Sequence, residues 1–323
     1  MRLYEPLIAL SVLLEHLRDR ASAFSDKTVH AEALSVCDQT GNLLVRNGST
    51  TEHPFQPHAL GLLASKLRIP ASYLTRCPPE LRAINLNHWL RKQGGRRFFL
   101  RFDGEDCRAV LSDRYRPVSN VDLAATLLSN ARDLLVRAEI DNLRMVLQVV
   151  NGRSTEIRPG DRVHGGLHVK NSEVGYTAVE LRAILYRVLC TNGLILGAGV
   201  DSYRKRHVVD PDAVLSDFGR KAVYALEEGA THANRLGDTR NVRVPDPQPV
   251  LDRISERYHL ADDEKKAMHQ AFHREPGDSL FEVIQAVTGA ANDRALGIDS
   301  REKMQELGGR LLELASSGRR WID

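Results

Sequence analysis

The chain has 323 residues, 42% of them hydrophobic, enough for one large domain or two ordinary ones around a sizeable core, and a folded, soluble protein is expected. Its 45 Lys and Arg against 42 Asp and Glu leave a formal charge of +3, too small by itself to define a polyanionic partner. No apolar run approaches the roughly 20 residues of a membrane span, so a membrane partner is excluded and a cytoplasmic location expected.

The amino terminus, MRLYEPLIALSVLLEHLRDR, carries an apolar run near Leu7 to Leu14 framed by Glu5, Glu15 and His16. Without a small-residue cleavage site it predicts an amphipathic helix, not a secretory leader. VHAEALSVCDQTGNLLVRNG predicts a strand, a turn at Gly41 and Asn42, and a returning strand. Pro54 and Pro57 punctuate a linker, after which HALGLLASKLRI has helical spacing and stops at Pro70. Ala71 to Leu74 predicts a further short helix. ELRAINLNHWLRKQGG predicts a longer one with Leu81, Ile84, Trp89 and Leu90 turned to the core, ended by Gly94 and Gly95.

In the central stretch Phe98, Leu100 and Phe102 alternate with Phe99, Arg101 and Asp103, the period of a strand with one buried face. Asp103 and Gly104 make a turn, CRAVLSD returns, and Ser119 with Asn120 caps a helix from near Val121 to about Leu135. LRMVLQVVNG and GDRVHGGLHVKN predict a strand pair. VGYTAVELRAILYRVLCTNGLILG predicts a helix burying Val179, Leu181, Ile184, Leu185 and Val188, stopped at Asn192 and Gly193. Asp210 and Pro211 introduce a helix from about Ala213 to Leu236, and about three more follow up to Leu314.

These elements predict an α+β fold, a mostly antiparallel sheet packed with helices and followed by a helical C-terminal region. The predicted organisation is a core domain over 1–240, a proline-rich linker over 241–249 and helices over 250–323. From Val250 onward 14 acidic and 11 basic side chains give −3, which leaves +6 on residues 1–249. A modestly basic body carries an acidic tail.

Function is sought where that basic charge gathers. Arg91, Lys92, Arg96, Arg97 and Arg101 are followed by Arg108, Arg114 and Arg116, with Tyr115 among them. Guanidinium groups suit phosphate oxygens and a ring can stack on an unpaired base, so this mixture points to a single strand. The plainer alternative is a solvated strand edge, because Asp103, Glu105, Asp106 and Asp113 offset half of the eight cations. A second basic run, Tyr203, Arg204, Lys205 and Arg206 with His207, has the same chemistry, and Lys170 could join either surface. The expected site is therefore Arg96, Arg97, Arg101, Arg114, Tyr115, Arg116, Lys170, Tyr203, Arg204, Lys205 and Arg206.

Catalytic signals are sparse. His164 with His168, and His269 with His273, each share a face but lack a third metal ligand at diagnostic spacing. Cys37, Cys77, Cys107 and Cys190 have no paired spacing and are expected to be reduced, and nothing local supplies a base for Cys190. There is no GxxxxGK[ST] or GxGxxG fingerprint, and no cofactor is expected.

Four stretches carry a family resemblance: LRIPASYLTRCPPELRAINLNHWL, RAVLSDRYRPVSN, VKNSEVGYTAVELRAILYRVLCTNGL and IQAVTGAANDRALGIDSREKMQELGGRLL. Together they resemble the phage/plasmid-like proteins whose shared region is domain of unknown function 932. The resemblance covers most of residues 58–314 and implies a mobile-element context, without catalytic residues to carry over. A strand pair followed by a helix, together with the predicted VGYTAVELRAILYRVLCTNG helix carrying glycine near both ends, is similar, more distantly, to the core of ring-forming single-strand annealing proteins, which implies an oligomer holding a strand in a basic groove. The leading expectation is a phage or plasmid nucleic-acid-binding protein acting on single-stranded DNA in recombination or replication as a homo-oligomer. A protein-interaction or host-defence module without nucleic-acid binding, and a metal-dependent hydrolase, are the alternatives.

Overall fold

The computed structural model of the chain describes residues 2–131, 133–187, 192–196 and 202–318. It opens with strand β1 (Arg2–Ala9) and helix α1 (Leu10–Ala21), then builds a small unit from β2 (Phe24–His30), β3 (Leu34–Val36), β4 (Leu43–Asn47), β5 (Ser49–His53), α2 (Pro57–Lys66), α3 (Ala71–Leu74), α4 (Pro79–Arg91), β6 (Arg97–Asp103) and β7 (Asp106–Ser112). Helix α5 (Asn120–Asn130) leads into β8 (Leu135–Ile140), β9 (Met145–Arg158), β10 (Asp161–Asn171), β11 (Val179–Arg187), β12 (Asn192–Ile195) and β13 (Tyr203–Lys205). Six helices close the chain: α6 (Pro211–Glu227), α7 (Gly229–Asp238), α8 (Pro247–Arg257), α9 (Asp262–Arg274), α10 (Leu280–Gly289) and α11 (Ile298–Ser316). The fold is α+β, with antiparallel sheets and a helical C-terminal stretch. Among the described residues no helix is long and apolar enough to cross a membrane.

The main sheet has seven strands, ordered β1-β8-β9-β10-β11-β12 with β13 also on β11. One face carries Val136, Ala138, Leu147, Val149, Val163, Leu167, Val169, Leu181, Ala183 and Leu185 into an apolar core shared with Leu10, Leu13, Leu14 and Leu17 of α1 and with α5, α6 and α7. Gly165 lets the chain at Gly229 approach until a Cβ on Gly165 would lie 2.4 Å from the Gly229 Cα. That contact falls where the single helix expected to run to Leu236 divides into α6 and α7.

The opposite face is polar. Register places Arg137 beside Gln148, Gln148 beside His168 and His168 beside Arg182 across four strands. Helix α11 lies over this row: Gln148 bonds to Gln305 at 2.9 Å, Lys170 to Glu302 at 2.5 Å, Arg301 to Glu139 at 2.7 Å, and Arg182 pairs with Glu306. The apolar side of α11, including Leu307, Leu311 and Leu312, belongs to the same core as the sheet, and so does Val244 in the proline-rich stretch.

A second core lies in the small unit. Val29, Val36, Leu43, Leu63, Leu86, Leu90, Phe98, Leu100, Phe102 and Val110 are among its members, drawn from residues 29–110 alone. Thus the large core takes α1, omits the next hundred or so positions, and resumes at Val118. A smaller cluster, Ala109, Leu111, Tyr115 and Val174, joins the two.

Several expected elements change. The predicted helix over VGYTAVELRAILYR is strand β11, whose sides are covered by apolar residues on one face and by α11 on the other. Glu180 and Arg182 sit on the polar face, and the short apolar set Val179, Leu181, Ile184 and Leu185 fits helical spacing as well as it fits a strand. Residues 2–9 form an edge strand paired with β8 where a helix was expected to start, and the helix expected to reach Leu135 stops at Asn130 so that β8 can begin. In α4 the inward stripe is Ala83, Leu86 and Leu90, whereas Leu81, Ile84 and Trp89 of the expected core face outward.

Candidate nucleic-acid interface

Hairpin β6–β7 turns at Asp103 and Gly104, where Gly104 adopts φ +57, a left-handed backbone that favours glycine. Phe98, Leu100 and Phe102 enter the small core as alternation requires. The other face meets a second wall in place of solvent. There Arg101 bonds through Nε to Asp26 at 2.8 Å and through Nη1 to the Glu173 carbonyl at 2.7 Å. Arg108 lies 3.9 Å from the Phe24 ring and pairs with Glu173 at 3.3 Å. Tyr115 donates its hydroxyl to the Ser172 carbonyl at 3.0 Å, with its ring stacked between Phe99 and His207, and burial raises the phenol pKa.

Arg101 and Tyr115, expected at the surface, are therefore structural: segment 172–175 returns from the large sheet to cover them. Lys170 is held by Glu302 under α11, and Tyr203 is buried with its hydroxyl on the Val214 carbonyl at 2.9 Å. Neither ring named for stacking is available to a base. Arg204 is anchored by Glu180 at 2.8 Å although most of its side chain is exposed.

The remaining expected residues are exposed, and backbone pairing gathers them. Phe98 lies opposite Ser112, so Arg96 and Arg97 share one end of the hairpin with Arg114 and Arg116. The Arg116 N–H donates to the His207 carbonyl at 2.7 Å, which draws the second basic run, with exposed Lys205 and Arg206, alongside the first. Two motifs about ninety positions apart thus meet.

This end of the molecule also contains groups that sequence periodicity assigned elsewhere. Arg96 Nη1 donates to the Lys66 carbonyl at 3.2 Å and to Gln93 Oε1 at 2.8 Å, and Gln93 reaches back to the Trp89 carbonyl. Burial and the Arg96 charge hold the Lys66 ammonium below its usual pKa. Trp89 is 41% exposed, with Lys92 Nζ 4.9 Å from its ring centroid and His88 against its edge. Among the described residues, Lys66, Arg68, Arg91, Lys92, Arg96, Arg97, Arg114, Arg116, Lys205 and Arg206 form no ion pair with a carboxylate, unlike most arginines of the sheet. Uncompensated neighbouring cations make a surface that attracts anions. Trp89 was missed because the two stripes of α4 both satisfy helical spacing, and only tertiary packing selects between them.

The described histidine and cysteine candidates are engaged elsewhere or stand apart from one another. His164 Nδ1 bonds to the Asn151 carbonyl, His168 is enclosed beneath α11, and His269 bonds to Gln248. Burial, with Lys170 and Arg182 nearby, pushes the His168 imidazole down to about 3. Among the described residues no group of three His, Cys, Asp or Glu is placed to hold a metal ion. Cys77 and Cys107 are buried free thiols, Cys37 is a half-buried one, and Cys190 lies outside the described residues. Comparisons with protein-family models, curated proteins and solved structures return no match to the chain.

Proposed function

We propose that this chain binds nucleic acid through the cationic end formed by Arg91 to Arg97, Arg114 to Arg116 and Lys205 to Arg206, and acts on single-stranded DNA in the recombination or replication of a phage or plasmid. The observation carrying this reading is the convergence of exposed cations without carboxylate partners, in a chain whose net charge is only +3. Phosphates replace small counterions at such a surface, and the released ions supply the driving force. The mobile-element setting rests on the resemblance in the four stretches given above, and assembly as a homo-oligomer on the more distant similarity to ring-forming single-strand annealing proteins.

The test is fluorescence anisotropy of a labelled oligothymidylate over a series of salt concentrations. Replacing Arg96, Arg97, Arg114 and Arg116 by Ala weakens binding and flattens the dependence of log affinity on log salt by about 0.7 for each lost phosphate contact on a single strand. Unchanged affinity and slope would remove this surface from consideration. Capture of a stable protein partner by a chain that binds no oligonucleotide would favour the interaction-module reading.

A further inference from the structure

Helix α4 turns an apolar and aromatic stripe to solvent. Ile84 is 65% exposed, Trp89 41% and Leu81 40%, and His88 is exposed between them. Tyr73 of α3 is 38% exposed and lies beside the stripe, where Asn85 Nδ2 reaches its hydroxyl at 3.3 Å. The stripe follows the spacing i, i+3, i+4, i+7, i+8 from Leu81, and its far end is Lys92. From Leu81 to Trp89 it spans about 12 Å, several times the roughly 3.4 Å stacking rise of a nucleic-acid strand.

Large hydrophobics are exposed elsewhere too, such as Val208 and Tyr176, but Leu81, Ile84 and Trp89 line up on one helix face, and an apolar patch of that kind marks a contact surface. Its rim selects the occupant. Lys92, Lys66 and Arg96 border the Trp89 end and carry no ion pair with a carboxylate among the described residues. Lys92 sits over one face of the indole and His88 meets its edge, leaving ring surface in solvent. A duplex presents phosphates but keeps its base faces stacked inside. An unpaired strand presents phosphates and open base faces together, and aromatic rings beside cations suit that combination.

We infer that the outward face of α4, centred on Trp89 with Ile84 and Tyr73, is a stacking platform for the bases of a single strand whose phosphates lie on the neighbouring cations. This rests on the proposed nucleic-acid binding and adds to it the strand class and the groups that read it. It also moves base contact away from Tyr115 and Tyr203, both buried.

The second tryptophan is Trp321, so Trp321→Phe leaves Trp89 as the sole indole reporter in the full-length chain. Titration with oligothymidylate is expected to quench its emission, whereas a blunt duplex of equal length quenches it weakly. In anisotropy, Trp89→Ala lowers single-strand affinity roughly tenfold, the scale of one lost base–aromatic stack, with the salt slope unchanged because no phosphate contact is removed. Trp89→Phe retains most of the affinity. Ile84→Glu, at a residue whose exposure spares the fold, weakens single-strand binding by placing a carboxylate on the platform. Unchanged single-strand affinity in both Trp89→Ala and Ile84→Glu, or equal losses for single strand and duplex, overturns the platform while leaving the cationic surface standing. A wild-type chain that binds neither overturns both.

Discussion

Arginine sits in opposite surroundings in two regions of the molecule. In the large core, Arg187 is 2% exposed and reaches Asp161 at 2.6 Å and Glu275 at 2.5 Å, while Arg158 joins the same two carboxylates at 2.9 and 2.5 Å. The Phe281 ring lies 5.3 Å from the Arg187 guanidinium. At the hairpin end, Arg96 and Arg97 lie in solvent and bond only to neutral groups or to none. The first set ties β9, β10 and β11 to α9, and the second leaves its charge available to a ligand. Pairing, more than clustering along the sequence, separates a structural arginine from one left open to a ligand.

The comparison breaks most sharply at Arg187. Replacing it by Met leaves Asp161, 1% exposed, with less than its present compensation, and an uncompensated buried charge costs about 3–5 kcal/mol. Denaturant unfolding should therefore show a large fall in midpoint. A loss below about 1 kcal/mol would mean that Arg158 alone satisfies the carboxylates.

A pH series sharpens the same contrast. His168 is held neutral to about 3 by burial first and by Lys170 and Arg182 next, and His207 to about 4, whereas an unfolded imidazole titrates near 6.5. Between those values the unfolded chain binds more protons at these two positions, so their contribution to stability is fully present above pH 6.5 and is lost as the pH falls through that window. His168→Gln should reduce the decline between pH 7 and pH 5 relative to the unmodified chain. Parallel stability curves for the two proteins would show that His168 is not enclosed.

The smallest effect on folding belongs to the surface set. Arg96→Ala with Arg97→Ala should change unfolding free energy by no more than about 0.5 kcal/mol, since neither removes a buried group or a salt bridge. A thermal midpoint that drops markedly would assign these residues to the fold and weaken their claim as ligand contacts.

Much of the local structure was legible in the residues themselves. Phe98, Leu100 and Phe102 point inward, Asp103 and Gly104 turn the hairpin, Ser119 caps α5 by accepting the Asp122 N–H at 3.0 Å, and Asp210 with Pro211 starts α6. What was hidden depends on partners far away in sequence. Arg101 and Tyr115 read as surface groups because Glu173 and Ser172 cover them from the distant segment between β10 and β11, and β11 read as a helix because both its faces are occupied. Of the expected binding residues, the short-range cations at 96, 97, 114 and 116 are exposed, whereas both tyrosines are lost to packing.

The detour of the chain between its two cores has a consequence for the order of assembly. Strand β1 pairs with β8, so the main sheet must bring together residues more than a hundred positions apart, and such closure costs entropy before any contact rewards it. The small unit draws its core from 29–110 alone and can condense first, shortening the loop that separates α1 from α5. Pulse-labelled hydrogen exchange should find the amides of Leu100 and Val110 protected earlier than those of Val149 and Leu167; simultaneous protection would indicate that both cores form in one step.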